Sequence, residues 1–137
     1  LWRHLINYRC GTGHSVSHVG NVHEGPHALN GRNTTVFKPG MIVTDEPGVY
    51  EGGVVGIRIE NELECYHKAS NQYGEFLAFR PIMFVPIATS PIVPGVLSRD
   101  ELDWLNAYHR EVFEKLAPHL TEDERDWLAK KCAAIGA

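Results

Sequence analysis

Hydrophobic and polar positions along the chain follow two rhythms, and the change between them falls near residue 88. Ahead of it the rhythm is that of strands. Met41-Ile42-Val43-Thr44, directly after Pro39-Gly40, is rich in β-branched side chains and predicts a strand. Pro47 biases the residue before it toward an extended backbone, which places Glu46 at that strand's end. Pro47 to Gly56 contains four glycines and predicts a turn. Gly56 to Cys65 then alternates, with Ile57, Ile59, Leu63 and Cys65 on one face and Arg58, Glu60, Glu62 and Glu64 on the other. The two runs are expected to form a broad hairpin whose apolar face packs on helices. Lys68 to Glu75 reads as a polar loop, and Phe76 to Pro86 as another strand in which Pro81 marks an edge or a bulge.

The flanks read differently. Leu1, Trp2, Leu5 and Ile6 share the spacing of one helical face, which predicts the last turns of a helix begun earlier and a molecule that is a fragment. A short extended stretch is expected from Ser15 to Val22. A loop from Glu24 to Pro39 follows, rich in the turn formers Gly25, Pro26, Asn30, Gly31 and Asn33. Beyond the prolines at 86, 91 and 94, two capping boxes open two helices: Ser98-Arg99-Asp100-Glu101 and Thr121-Glu122-Asp123-Glu124. Leu102, Leu105, Tyr108, Val112, Phe113 and Leu116 are expected to face inward on the first, and Trp127, Leu128 and Ile135 on the second. Trp104 and Trp127 are expected to be packing residues, with a partner surface as the other reading. The pattern is α+β: antiparallel strands, then C-terminal helices.

Composition narrows the class. The 137 residues are 43% hydrophobic, enough for a core, and a formal charge of −4 gives no basic footprint for nucleic acid. No run of about 18 apolar residues is present to span a membrane. Cys10, Cys65 and Cys132 are odd in number and widely spaced, which favours neither a disulfide framework nor a zinc knuckle and points to a reducing, cytoplasmic setting.

Candidate chemistry gathers around Gly11-Thr12-Gly13-His14 and two downstream carboxylates. His14, Glu46 and Glu60 supply an imidazole and two carboxylates, a mixed nitrogen and oxygen set suited to manganese, cobalt, zinc or iron(II). The hairpin would bring Glu46 and Glu60 side by side on adjacent strands. Arg58, two residues before Glu60 on the same face, is placed to hold acidic groups in a network. Each residue also has a plainer reading: Glu60 in a solvated acidic stripe with Glu62 and Glu64, Glu46 as the acceptor of a turn, Arg58 as a surface charge. His18 and His27 read as ordinary loop histidines.

Four motifs in order carry a family resemblance: Gly11-Thr12-Gly13-His14, Asn21-Val22-His23-Glu24-Gly25-Pro26, Asp45-Glu46-Pro47-Gly48 with Tyr50, and Gly56-Ile57-Arg58-Ile59-Glu60-Asn61. Together they resemble the C-terminal half of the catalytic domain of Xaa-Pro aminopeptidases, the aminopeptidase P group of pita-bread (creatinase/aminopeptidase-like) metallopeptidases. The stretch from Phe76 to Ile87, with Glu101 to Asn106 and Tyr108-His109, resembles the C-terminal extension of the longer members. The resemblance implies residues 1–87 as the C-terminal part of the catalytic domain and 88–137 as a helical extension.

It further implies that His14, Glu46 and Glu60 are metal ligands, with Glu60 bridging two metals. Glu46 also handles the proton of the nucleophilic water, His23 contacts the scissile carbonyl, and Arg58 braces the carboxylates. Two divalent ions are implied, manganese before zinc or cobalt. The implied activity is release of the residue preceding a penultimate proline through a metal-bridged hydroxide, in a cytoplasmic enzyme expected to be a homodimer.

The family's two aspartate ligands and a further histidine come from an N-terminal half that this chain does not match. The centre is therefore expected to be incomplete and the fragment inactive without that half. Cys10 stands where many members have histidine, and Ser15 and Ser17 where they have glycine. A prolidase acting on dipeptides and a catalytically silent peptide- or protein-binding module are the alternatives.

Overall fold

The structure, a computed structural model, describes residues 5–136. The expected helix end at Leu1 and Trp2 lies outside them. The chain divides into two compact units, Leu1–Met83 and Phe84–Ala137, with every strand among the described residues in the first and every helix in the second. The division falls shortly before the boundary expected at residues 87 and 88.

The first unit holds β1 (Ile42–Asp45), β2 (Gly48–Glu51), β3 (Val55–Arg58), β4 (Asn61–Asn71) and β5 (Gly74–Pro81). All pairings are antiparallel: β1, β4 and β5 form one sheet in that order, and β2 and β3 form a separate ribbon. Gly53, at φ +72°, supplies the left-handed residue of the β2–β3 turn.

One register runs through both ladders. Asp45 faces Asn61 at the end of β1–β4, and Gly48 faces Arg58 at the start of β2–β3. The broad hairpin read from the sequence therefore exists, interrupted where Glu46 and Pro47 lie across from Glu60 and Ile59. Pro47 has no N–H to give the ladder, which accounts for a break at that point.

Three expectations need correction. Gly56 to Cys65 is two strands, and its apolar face is not uniformly covered, because Ile57 and Ile59 remain half exposed while Cys65 is buried. The stretch from Lys68 to Glu75 is the end of a hairpin: β4 continues to Asn71, and Gly74 (φ +130°) opens β5 after a short turn. Both faces of that projecting end meet solvent, so its strands lack the alternation that betrays a half-buried sheet. Extended pairing at Ser15 also stops at once, and Val19 and Val22 beyond it are exposed. Pro81 does close an edge strand, as β5 is the sheet's outer member.

The second unit is built on α1 (Arg99–Leu116), a 3-10 turn (Ala117–His119) and α2 (Glu122–Lys131). Both capping boxes form. Ser98 N–H donates to the Glu101 carboxylate at 2.7 Å, and Thr121 N–H to Glu124 at 2.9 Å. Those hydrogen bonds, led by the Ser98 hydroxyl and by the Thr121 amide respectively, hold both glutamates below the usual carboxylate range. Tyr108, Val112 and Leu128 form the buried core, with Phe84, Ile87, Phe113 and Leu116 packed on it. Tyr108 Oη donates to the Val85 carbonyl (2.9 Å) and Ile87 N–H to His109 Nε2 (3.1 Å), which ties the proline-rich connector to α1. Ile135 lies beyond α2, where Asn106 pairs with its amide and carbonyl. Trp104 and Trp127 are both more than half exposed. Trp104 stacks on Tyr108, and Lys131 lies over Trp127.

Candidate active site

Backbone pairing fixes His14 in place. Ser15 N–H donates to the His27 carbonyl and Leu29 N–H to that of Gly13, both at 3.0 Å, on one side. On the other, Thr44 N–H reaches the His14 carbonyl at 2.9 Å and Glu46 N–H that of Thr12 at 2.6 Å. Gly13 has to be glycine, because a Cβ there would lie 1.8 Å from the Thr44 carbonyl oxygen. The motif's glycine thus allows a close approach of two backbones, and that approach delivers His14 to Glu46.

His14 Nε2 and Glu46 Oε1 are 2.9 Å apart. The other imidazole nitrogen, Nδ1, lies 3.0 Å from the Ser15 carbonyl oxygen, which can only accept, so Nδ1 carries the proton of that bond. Nε2 then faces a carboxylate oxygen. A ring nitrogen and a carboxylate oxygen at that distance share a proton or a cation.

The rest of the Glu46 carboxylate is held firmly. Thr44 Oγ1 donates to Oε1 at 3.0 Å while accepting the His14 amide, and Thr44 itself is buried. Arg58 Nη1 donates to Oε2 at 2.8 Å and also to the Glu46 carbonyl. Arg58 Nε donates to Tyr50 Oη at 2.9 Å. That bond, with the nearby charges of Tyr50 and Glu46, raises the guanidinium above its ordinary value against a smaller opposing effect of burial. Gly48 and Gly56 flank the Tyr50 ring, and a Cβ at either would come within 2.8 Å of it. Burial alone pushes the neighbouring Asp45 carboxyl up.

Among the five residues singled out in the sequence, His14, Glu46 and Arg58 meet directly. The His23 ring lies 4.2 Å from that of His14, centroid to centroid, on an exposed segment. Glu60 is exposed and makes no ion pair or hydrogen bond with the others. Among the described residues no three histidine, cysteine, aspartate or glutamate side chains converge on one point. By register, however, Glu60 occupies the position across from Glu46 in the gap between the ladders. Sequence reasoning missed Thr44; a hydroxyl two residues before Glu46, on the same strand face, was the available signal. Of the loop histidines, His27 is buried, with Nε2 2.7 Å from the Ile42 carbonyl oxygen. The three cysteines are free thiols.

These features belong to a known group. The description "Metallopeptidase family M24" matches residues 1–66, and "C-terminal region of peptidase_M24" matches residues 75–135. The chain belongs to metallopeptidase family M24.

Within it the similar proteins are Xaa-Pro aminopeptidases. A probable Xaa-Pro aminopeptidase P of Coprinopsis cinerea is 42% identical over 98% of this chain and 23% of its own length. Aminopeptidase P2 of Arabidopsis thaliana is 44% identical over 93% of this chain and 19% of its own. The crystal structure of X-prolyl aminopeptidase from Caenorhabditis elegans, described as a cytosolic enzyme with a di-nuclear active site, matches with a TM-score of 0.87. It is 38% identical, over 98% of this chain and 23% of that one. The chain thus spans about a fifth to a quarter of the length of these relatives. The expected architecture, part of a pita-bread domain with antiparallel strands followed by C-terminal helices, holds. No helix among the described residues is long and apolar enough to cross a membrane.

Proposed function

We propose that this chain supplies one side of the catalytic centre of an Xaa-Pro aminopeptidase, which removes the first residue of peptides carrying proline in second position. The observation that carries the reading is the His14–Glu46 contact, an imidazole nitrogen and a carboxylate oxygen 2.9 Å apart. That donor set fits a divalent cation. His14, Glu46 and Glu60 would hold it, Glu60 from the opposite side of the ladder gap, with further ligands from polypeptide outside this chain. The di-nuclear active site of the Caenorhabditis elegans enzyme supports two ions, and we assign manganese ahead of zinc or cobalt. When bound, such ions lower the pKa of water and polarise a carbonyl.

The chain's own side chains account for the other requirements. Arg58 fixes Oε2 of Glu46 and Thr44 fixes Oε1, so the carboxylate is held in one orientation and can take a proton at the oxygen facing His14. His23, beside the His14 ring, can donate a hydrogen bond to a substrate carbonyl oxygen as negative charge develops there. Tyr50 accepts from Arg58 Nε and so helps hold the guanidinium against Glu46. We place the enzyme in the cytoplasm and expect a homodimer. The 137 residues alone are expected to be inactive.

The test uses the natural full-length chain that carries this segment, assayed on an Xaa-Pro tripeptide with manganese. Glu46→Gln and His14→Ala are each expected to lower kcat/KM by about 100-fold or more. Unchanged hydrolysis would refute the reading. Cleavage of Xaa-Pro dipeptides alone would favour a prolidase, and peptide binding without any cleavage a silent module.

A further inference from the structure

Beside the His14 segment an open cleft of about 540 Å3 runs along the 26–34 loop. One wall is Ala28, the residue that pairs with His14 across the backbone bridge. Arg9, Cys10 and Gly11, which lead directly into Thr12 and His14, line it as well. The cleft therefore adjoins the segment that carries His14, while its own lining residues are distinct from His14, Glu46 and Arg58.

Its charge is one-sided. Arg9 and Arg32 both line it, and no acidic side chain does. Neither guanidinium forms an ion pair among the described residues, whereas Arg58, Arg80 and Arg99 each do. The loop that presents Arg32 is tied down: Arg32 N–H donates to Asn30 Oδ1 at 2.9 Å, Asn33 N–H to the Asn30 carbonyl at 3.2 Å, and the Asn33 amide group is engaged with Thr35. Two guanidiniums beside a fixed turn can meet both oxygens of a carboxylate in parallel hydrogen bonds.

We propose that this cleft is an anion subsite that takes a carboxylate of the peptide being processed, on the leaving side of the scissile bond. The inference rests on the aminopeptidase reading, which supplies the peptide. Two sources have the right chemistry: the C-terminal carboxylate of a short substrate and an acidic side chain soon after the proline. A carboxylate docked here also sets how far the peptide extends from His14, so the subsite selects for length as well as charge.

The experiment compares Ala-Pro-Ala as free acid, Ala-Pro-Ala amide and Ala-Pro-Glu amide on the full-length chain. KM for the Ala-Pro-Ala amide is expected to be about tenfold above that for the acid, as befits loss of one charge-assisted contact. The gap should narrow as salt rises. Ala-Pro-Glu amide matching the free acid would assign the subsite to acidic side chains; behaviour like the plain amide would assign it to the C-terminus. Arg32→Gln, alone or with Arg9→Gln, should erase the acid–amide difference through KM rather than kcat, and Arg32→Lys should restore part of it. Equal KM for all three peptides, or a difference that survives the double substitution, overturns the proposal. Should no peptide be cleaved, the aminopeptidase reading fails by itself. Calorimetric binding of the acid and the amide, with and without the double substitution, then decides the subsite by the same comparison.

Discussion

The two units are held together by different forces. In Phe84–Ala137, Tyr108, Val112 and Leu128 form one buried apolar cluster and Leu105 and Ala117 are buried as well; full burial of a Val or Leu side chain stabilises by about 1.5–3 kcal/mol. In Leu1–Met83 the buried apolar side chains among the described residues are Val43 and Cys65, while Val49, Val55, Ile57, Ile59, Phe76 and Phe79 stay substantially exposed. There the order comes from hydrogen bonds: backbone pairing on both sides of Thr12–Ser15 and the side-chain chain Tyr50–Arg58–Glu46–Thr44–His14. A scaffold can be secured by area, which is indifferent to direction. A site has to be secured by directed bonds, because its chemistry depends on where single atoms point.

The sharpest way to break this contrast is to cut each unit at its own support and follow amide exchange in both. Leu128→Ala removes a fully buried side chain and should cost about 3 kcal/mol. Protection should fall through α1 and α2 and be preserved in β1 and β4; an equal loss in both units would contradict the contrast. Gly13→Ala should cost about 2 kcal/mol, because the new methyl cannot coexist with the Thr44 carbonyl without moving the strand. Its loss of protection should centre on the Thr44 and Glu46 amides and spare α1.

A smaller, pH-dependent effect sharpens the same division. His109 is fully buried, and burial lowers its pKa below the ordinary histidine value of 6.5, against a smaller raising effect from the Ile87 contact. A histidine kept neutral by folding contributes stability that is whole above the unfolded value and is lost as pH falls below it, since only the unfolded chain takes up the proton readily. The second unit should therefore weaken on acidification below pH 6.5. Thermal melts of His109→Gln should lose that dependence, the glutamine oxygen still accepting the Ile87 amide. An identical acid profile in the variant would assign the effect elsewhere.

The parts legible in the sequence were those written in local terms. Both capping boxes needed only a hydroxyl and a glutamate three residues apart, and α1 and α2 begin where Ser98 and Thr121 said they would. Pro81 named an edge strand, and the glycines after Pro47 named the hairpin. What was hidden depended on contacts between distant segments. The interruption of the hairpin at Glu46-Pro47 left Arg58 and Glu60 on opposite sides of a strand end rather than along one strand. The β4–β5 turn was obscured by polar residues on both faces, and the pairing of Thr44 with Glu46, hinted at by their spacing, took its full form only once His14 was brought against both. Within the candidate site, the motifs indicated His14, Glu46 and Arg58 as a group; the exposed position of Glu60 could be read only from the fold.

On the function proposed above, His14 and Glu46 face each other because a divalent cation belongs there, with Glu60 reaching the same place from across the ladder gap. Diffraction from manganese-soaked crystals of the full-length chain, recorded on both sides of the metal's absorption edge, tests it most directly. An anomalous peak bonded to His14 Nε2 is expected, with the Glu46 and Glu60 carboxylates as further ligands. No peak at that position, or a bound metal whose ligands leave out His14 and Glu46, would contradict it.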